Sequence, residues 1–227
     1  MKNILSLIAL LIFCSLSNAQ TNTDSLWGVW NQKSNADTLR LKALSEINIS
    51  IVRNNPDSSF VISKMILDLA IKKGLKNYQA EAYFVQGKAF SYTQNFKETA
   101  KSYARSVRLY EEIGDKSGIA RTLAFTAGNY DYQGEYLVAI EYGKQVMALS
   151  KEIGDTIRIA GVSKVLGHSY YKLGEYTKAI KAYENGLIAA NLKDDKLTVA
   201  YNLQAIGNIY KDQGEYQIAY DYYNRSL

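Results

Sequence analysis

The chain is poor in the residues that most site chemistry needs. Its 227 residues include one Cys, one His and one Pro. The Cys, Cys14, falls in a segment argued below to be removed, which leaves His168 alone. A chain without Cys and with one His cannot assemble a Cys/His zinc site, a thiol nucleophile or an iron–sulfur centre. Clustered charge is missing too. There are 27 basic and 22 acidic residues, and Lys and Arg never stand more than two together. A nucleic-acid groove needs grouped cations to displace counterions, so no nucleic acid is expected to bind directly. Asp and Glu form no paired-carboxylate motif and no calcium loop, and the glycines do not make a phosphate loop. No metal and no cofactor is expected. A lone His with no nucleophile placed beside it makes no catalytic motif, so the chain is not expected to be an enzyme. Asn48-Ile49-Ser50 and Asn224-Arg225-Ser226 match the glycosylation acceptor pattern but lie in predicted helices, and are read as chance.

One long apolar run is present, at the N-terminus. Lys2 precedes Ile4 to Leu16, a stretch broken only by Ser6 and Ser15, and Ser17-Asn18-Ala19 supplies small residues at the positions a signal peptidase reads. The run is short for a bilayer span, and bulky Phe13 before Cys14 argues against lipidation there. Residues 1–19 are expected to be a cleaved bacterial signal peptide, with export to the periplasm or outside the cell. No transmembrane run follows residue 20, so no membrane contact is expected of the mature repeats.

What is abundant is Tyr, 19 residues, all at or after Tyr78, and they follow a period of forty. Gly114-Asp115 recurs as Gly154-Asp155, and Asp194-Asp195 holds the same place once more. Gln133-Gly134-Glu135-Tyr136 recurs as Leu173-Gly174-Glu175-Tyr176 and as Gln213-Gly214-Glu215-Tyr216, with Thr93-Gln94-Asn95-Phe96 in the earlier copy. Each unit divides into two stretches with helical spacing, as in Ile157 to Leu173 and Glu175 to Ala190. A Gly at 174 can take positive φ and end a helix tightly, and Asp115 and Asp155 are candidate N-caps.

These units resemble tetratricopeptide repeats, in a long form of about forty residues. The marks are Leu166-Gly167 with Tyr170, Ile206-Gly207 with Tyr210 and Gln86-Gly87 with Phe90. The turn Gly134, Gly174 or Gly214 is followed by an acidic residue and Tyr, and Ala139, Ala179 or Ala219 lies early in the second helix. The second helix's later aromatic is Tyr103, Tyr183 and Tyr223, but Gly143 in one copy. The resemblance implies an all-α, right-handed superhelical solenoid of antiparallel helix pairs. It divides the chain into an N-terminal segment 20–35, a degenerate first repeat 36–76, repeats 77–115, 116–155 and 156–195, and an incomplete repeat 196–227. In the degenerate repeat, Ala36 to Arg53 is the expected first helix, with Asp57 capping the second. The in-register Tyr residues are expected to be core.

The resemblance further implies a concave face made by the first helix of each pair. Carried over position by position, its candidates are Phe84, Lys88 and Tyr92, then Arg121 and Asp131. Lys164, His168, Tyr171 and Lys172 follow, and then Tyr201, Gln204, Asn208 and Lys211. Lys164, His168 and Lys172, one turn apart, form a modest basic strip suited to an acidic peptide. The expected partner is a protein or peptide segment. The fourth copy stops inside its second helix, which raises an alternative. Exported repeats of this kind resemble the input regions of bacterial membrane signalling proteins, where a membrane anchor and an output domain (histidine kinase, nucleotide cyclase or transcriptional regulator) follow.

Overall fold

A computed structural model describes residues 23–227, and the expected signal peptide lies outside them. Every regular element among the described residues is a helix. A segment at 23–31 (α1) precedes α2 (Asp37–Ile51), α3 (Pro56–Lys72), α4 (Lys76–Tyr92), α5 (Phe96–Ile113) and α6 (Lys116–Tyr132). Then come α7 (Tyr136–Ile153), α8 (Thr156–Lys172), α9 (Tyr176–Asn191), α10 (Lys196–Asp212) and α11 (Tyr216–Arg225).

The turn chemistry explains the boundaries. Asp115, Asp155 and Asp195 each accept a hydrogen bond from the backbone N–H three residues on, at 2.9, 2.9 and 3.0 Å, and so begin α6, α8 and α10. Helix α8 ends on Gly174 at φ +74°. There the Glu175 N–H donates to the Tyr170 carbonyl and the Gly174 N–H to that of Tyr171, a Schellman closure. Two non-glycine residues take the same left-handed conformation: Gln94 (φ 57°) where later copies have Gly, and Asp194 (φ 52°) where earlier copies have Gly. The cap of α3 differs from the sequence expectation. Asn55, not Asp57, accepts the Ser58 N–H at 3.2 Å, because Pro56 fits the first helical position and leaves Asp57 inside the first turn.

The chain forms two compact units that divide within α5, between Leu109 and Tyr110. In the first, Leu41, Leu44 and Ile47 of α2 bury against Ile62, Ile66 and Ala70 of α3, with Trp27 and Trp30 packed on that cluster. Arg40 donates to the Trp30 carbonyl at 2.9 Å and stacks 4.6 Å from its ring. Next to it, Gly87 of α4 lies under the Tyr103 ring of α5. Where α2 meets α3 the bulk is exchanged. Asn48, fully buried, donates to Ser63 Oγ (2.7 Å) and accepts from Ser59 Oγ (2.6 Å). Small faces large in one pair, and a polar residue faces two hydroxyls in the other.

The second unit repeats the Gly–Tyr device as Gly167 under Tyr183 and Gly207 under Tyr223. In the copy that carries Gly143 instead of Tyr, Leu166 of α8 reaches back to fill the space, and a Cβ at 143 would lie 2.7 Å from its Cδ2. Ile140, Val146, Val162 and Leu166 make one core cluster, and Ala179, Tyr183, Ile206 and Ile209 another. Tyr103 and Tyr183 are buried as expected, but Tyr216 is 71% exposed. It opens α11, which packs on α10 and is not covered by a further helix among the described residues.

Candidate functional site

The second unit gathers most of the candidate residues on α8 and α10. His168, Tyr171, Tyr201, Gln204 and Asn208 line one open depression of about 170 Å³, together with Ala205 and the edge of Tyr183. The spacing explains this. Tyr201, Gln204 and Asn208 follow one another at three and four residues along α10, and His168 and Tyr171 do so on α8. Each helix is held at its back by the Gly–Tyr contact with α9 or α11.

Asp131, from α6, holds the lining residue His168 in place. Its side chain is 16% exposed and receives three contacts: His168 Nδ1 lies 2.9 and 2.8 Å from its two oxygens, and Ser169 Oγ donates to Oδ1 at 2.6 Å. The carboxylate accepts, so Nδ1 carries the proton towards it and Nε2 is the ring nitrogen left over. The Tyr136 ring meets the His168 ring edge-on at 6.0 Å. Ser, His and Asp are therefore adjacent, but the serine donates to the aspartate and not to the imidazole. This is a hydrogen-bonded clamp, without the serine–histidine link that activates a nucleophile. Among the described residues no group of three His, Cys, Asp or Glu side chains is placed to hold a metal.

The walls are phenolic. Tyr183 and Tyr201 meet edge to face at 6.4 Å, and burial, reinforced by the Asp131 charge, pushes both hydroxyls above the usual phenol range. Tyr171 donates to Asp212, and that bond, more than burial, pushes its pKa up to about 12. Asn208 Oδ1 accepts from Tyr223 at 2.8 Å, which leaves its NH₂ group available. Lys164 does not stand free: its Nζ donates to Thr198 Oγ1 at 3.0 Å and lies 5.1 Å from the centre of the Tyr201 ring. Lys172 lies 6.0 Å from the Tyr171 ring centre, and Lys211 is 4.0 Å from Asp212.

Other candidates lie elsewhere. Phe84, expected on a binding face, is 4% exposed and belongs to the first unit's core, 6.0 Å from the Tyr103 ring centre. An aromatic ring gains more by burial than by exposure, so it folds down where later copies place Lys164 and Gln204. Lys88 lies 5.8 Å over it, and Tyr92 is 45% exposed, both in the first unit. Arg121 donates to Tyr110 Oη at 2.7 Å and braces α6 against α5. Sequence reasoning missed Ser169 and Asp212, and read Tyr183 only as core. Only the pairing of α6 with α8 and of α8 with α10 reveals those partners.

Residues 158–227 match the family described as tetratricopeptide repeat. Its helix pairs have the tetratricopeptide-like fold. Solved structures share the fold over nearly its whole length. The apo form of RapI has a TM-score of 0.74 at 18% identity, over 90% of this chain and 57% of RapI. BtubC (BKLC) from P. vanneervenii has 0.75 at 15% identity, over 92% of this chain and 87% of that one. A Rap protein complexed with Competence and Sporulation Factor has 0.68 at 15%, over 86% and 55%. The chain thus spans little more than half the length of the two Rap proteins. No curated protein matches it. Among the described residues no helix of the repeats is long and apolar enough to cross a membrane.

Proposed function

We propose that the chain is an exported, non-catalytic interaction module whose repeats hold a peptide or protein segment on the face made by α8 and α10. What supports this most is a contrast between positions. The packing positions repeat, with Gly87, Gly167 and Gly207 each under a Tyr ring. The neighbouring face positions change from copy to copy: Lys88, His168 and Asn208 at one register, Phe84, Lys164 and Gln204 at another. A scaffold conserved in form carries a surface that varies, and in the second unit that surface opens into a lined depression. A structure of similar fold is complexed with Competence and Sporulation Factor, which is in keeping with a peptide-sized partner. The Ser169–Asp131–His168 clamp offers no activated nucleophile, in line with a binding role.

Selection of a random peptide display library on the mature chain tests the reading. Enrichment by the wild type, lost when His168, Gln204 and Asn208 are replaced together by Ala, is the expected result. No enrichment, or equal enrichment by the triple variant, would reject it. Export rests on the leader residues alone. Mass spectrometry of the secreted chain should give Gln20 as its first residue, and a retained N-terminal Met would reject cleavage.

A further inference from the structure

The depression is too small for a drug-sized ligand, which needs roughly 300 Å³ or more. At about 170 Å³ it holds one side chain. The charged groups on the helices around it decide which kind. Asp131 is clamped by His168, and Asp212 accepts from Tyr171. Asp195 is held below the usual carboxylate range by its Thr198 hydrogen bonds and by Lys164. Against these three carboxylates stand three ammonium groups: Lys164 on the Tyr201 ring, Lys172 on the Tyr171 ring and Lys211 beside Asp212. The set is balanced, and its cations are already seated on rings or beside carboxylates. An anionic or cationic side chain would be desolvated without a free counter-charge to receive it. What remains unused is aromatic surface, carboxamide and the ring nitrogen Nε2 of His168, whose Nδ1 is taken by Asp131. Tyr201 is 44% exposed at the rim, its ring inclined at 67° to the packed Tyr183, and such ring edges and faces favour a further ring. Gln204 and Asn208 are exposed one turn apart on α10. Gln204 has no partner among the described residues, and Asn208 keeps its NH₂ group. Carboxamides at that spacing offer donors and an acceptor to an extended backbone passing over the opening.

We infer that this depression is a specificity pocket for a single uncharged aromatic side chain, Phe or Tyr, of a bound peptide whose backbone is met by Gln204 and Asn208. The inference rests on the peptide-binding reading above and names what that site selects.

Blocked pentapeptides, acetyl-Gly-Gly-X-Gly-Gly-amide with X as Phe, Tyr, Leu, Glu or Lys, are titrated against the ¹⁵N-labelled mature chain. The Phe and Tyr peptides should shift the side-chain NH₂ signals of Gln204 and Asn208. They should bind at least about tenfold more tightly than the Leu, Glu or Lys peptides, a margin of roughly 1.4 kcal/mol. Tyr201→Phe keeps the ring and should keep binding, whereas Tyr201→Ala should lose it with an otherwise unchanged, well-dispersed spectrum. Tighter binding of the Glu or Lys peptide would overturn the pocket in favour of charge recognition. So would silent Gln204 and Asn208 signals with every peptide. If the display library still yields binders in that case, the interaction module survives and only the aromatic pocket falls.

Discussion

Gly87 lies so close beneath the ring of Tyr103 that a Cβ on residue 87 would come within 2.4 Å of the ring's Cδ1 and Cε1. The ring is 2% exposed and cannot swing aside into solvent. Gly87→Ala is therefore expected to destabilise the first unit by about 1–3 kcal/mol, the usual range for overpacking. Gly128→Ala is the control. Nothing lies within 4 Å of its Cβ, and the helix interior there should gain about 0.5–1 kcal/mol. Urea midpoints of the two variants should move in opposite directions.

Gln94 and Asp194 hold left-handed backbone that the other copies give to Gly. A non-glycine residue there is strained by roughly 1 kcal/mol or more. Gln94→Gly and Asp194→Gly should each raise stability, by about 0.5–1 kcal/mol once the added freedom of the unfolded glycine is subtracted. Thermal unfolding checks this, and a lowered midpoint for both would contradict it.

Asn48 bonds to both Ser59 and Ser63 in a fully buried site. Asn48→Ala leaves two buried hydroxyls without that partner and should cost about 2–4 kcal/mol. Adding Ser63→Ala should cost much less than it does alone. A double-mutant cycle by chemical denaturation reads that coupling, and strict additivity would contradict it. The same burial bars Asn48 from serving as a glycosylation site in the folded chain.

Tyr171 is held in its neutral form by Asp212, with its pKa pushed up to about 12 against an ordinary value of 10.0. A raised folded pKa contributes stability that is complete below about pH 10 and lost as pH climbs towards 12. Asp212→Asn removes the carboxylate acceptor. The wild type should lose stability more steeply than the variant between pH 9.5 and 11.5, as followed by urea unfolding.

The helices were legible in the sequence because their punctuation is local. Asp115 and Asp155 cap the helices they precede, and Gly174 turns at positive φ, each within a few residues of its effect. The Gly–Tyr pairs were legible because they recur. The site was legible only in part. His168 and Asn208 could be placed on a face by spacing, but Asp131 meets His168 across 37 residues and Tyr171 meets Asp212 across 41, and no local pattern announces such partners. Phe84 was misplaced because register alone does not say whether a ring turns outwards or inwards. Tyr183 was read as packing and is that, yet its edge also faces the depression.

The substitution of Gly143 for a ring has a consequence for how this array can change over time. Because Leu166 supplies the missing volume from the neighbouring copy, residues 116–155 and 156–195 are committed to each other. Duplicating, deleting or swapping either one as a cassette would strand a hole or force a collision. The repeats look interchangeable in a sequence alignment of their markers, but this junction has become a matched pair, and insertions or losses of whole units should be tolerated elsewhere before they are tolerated here.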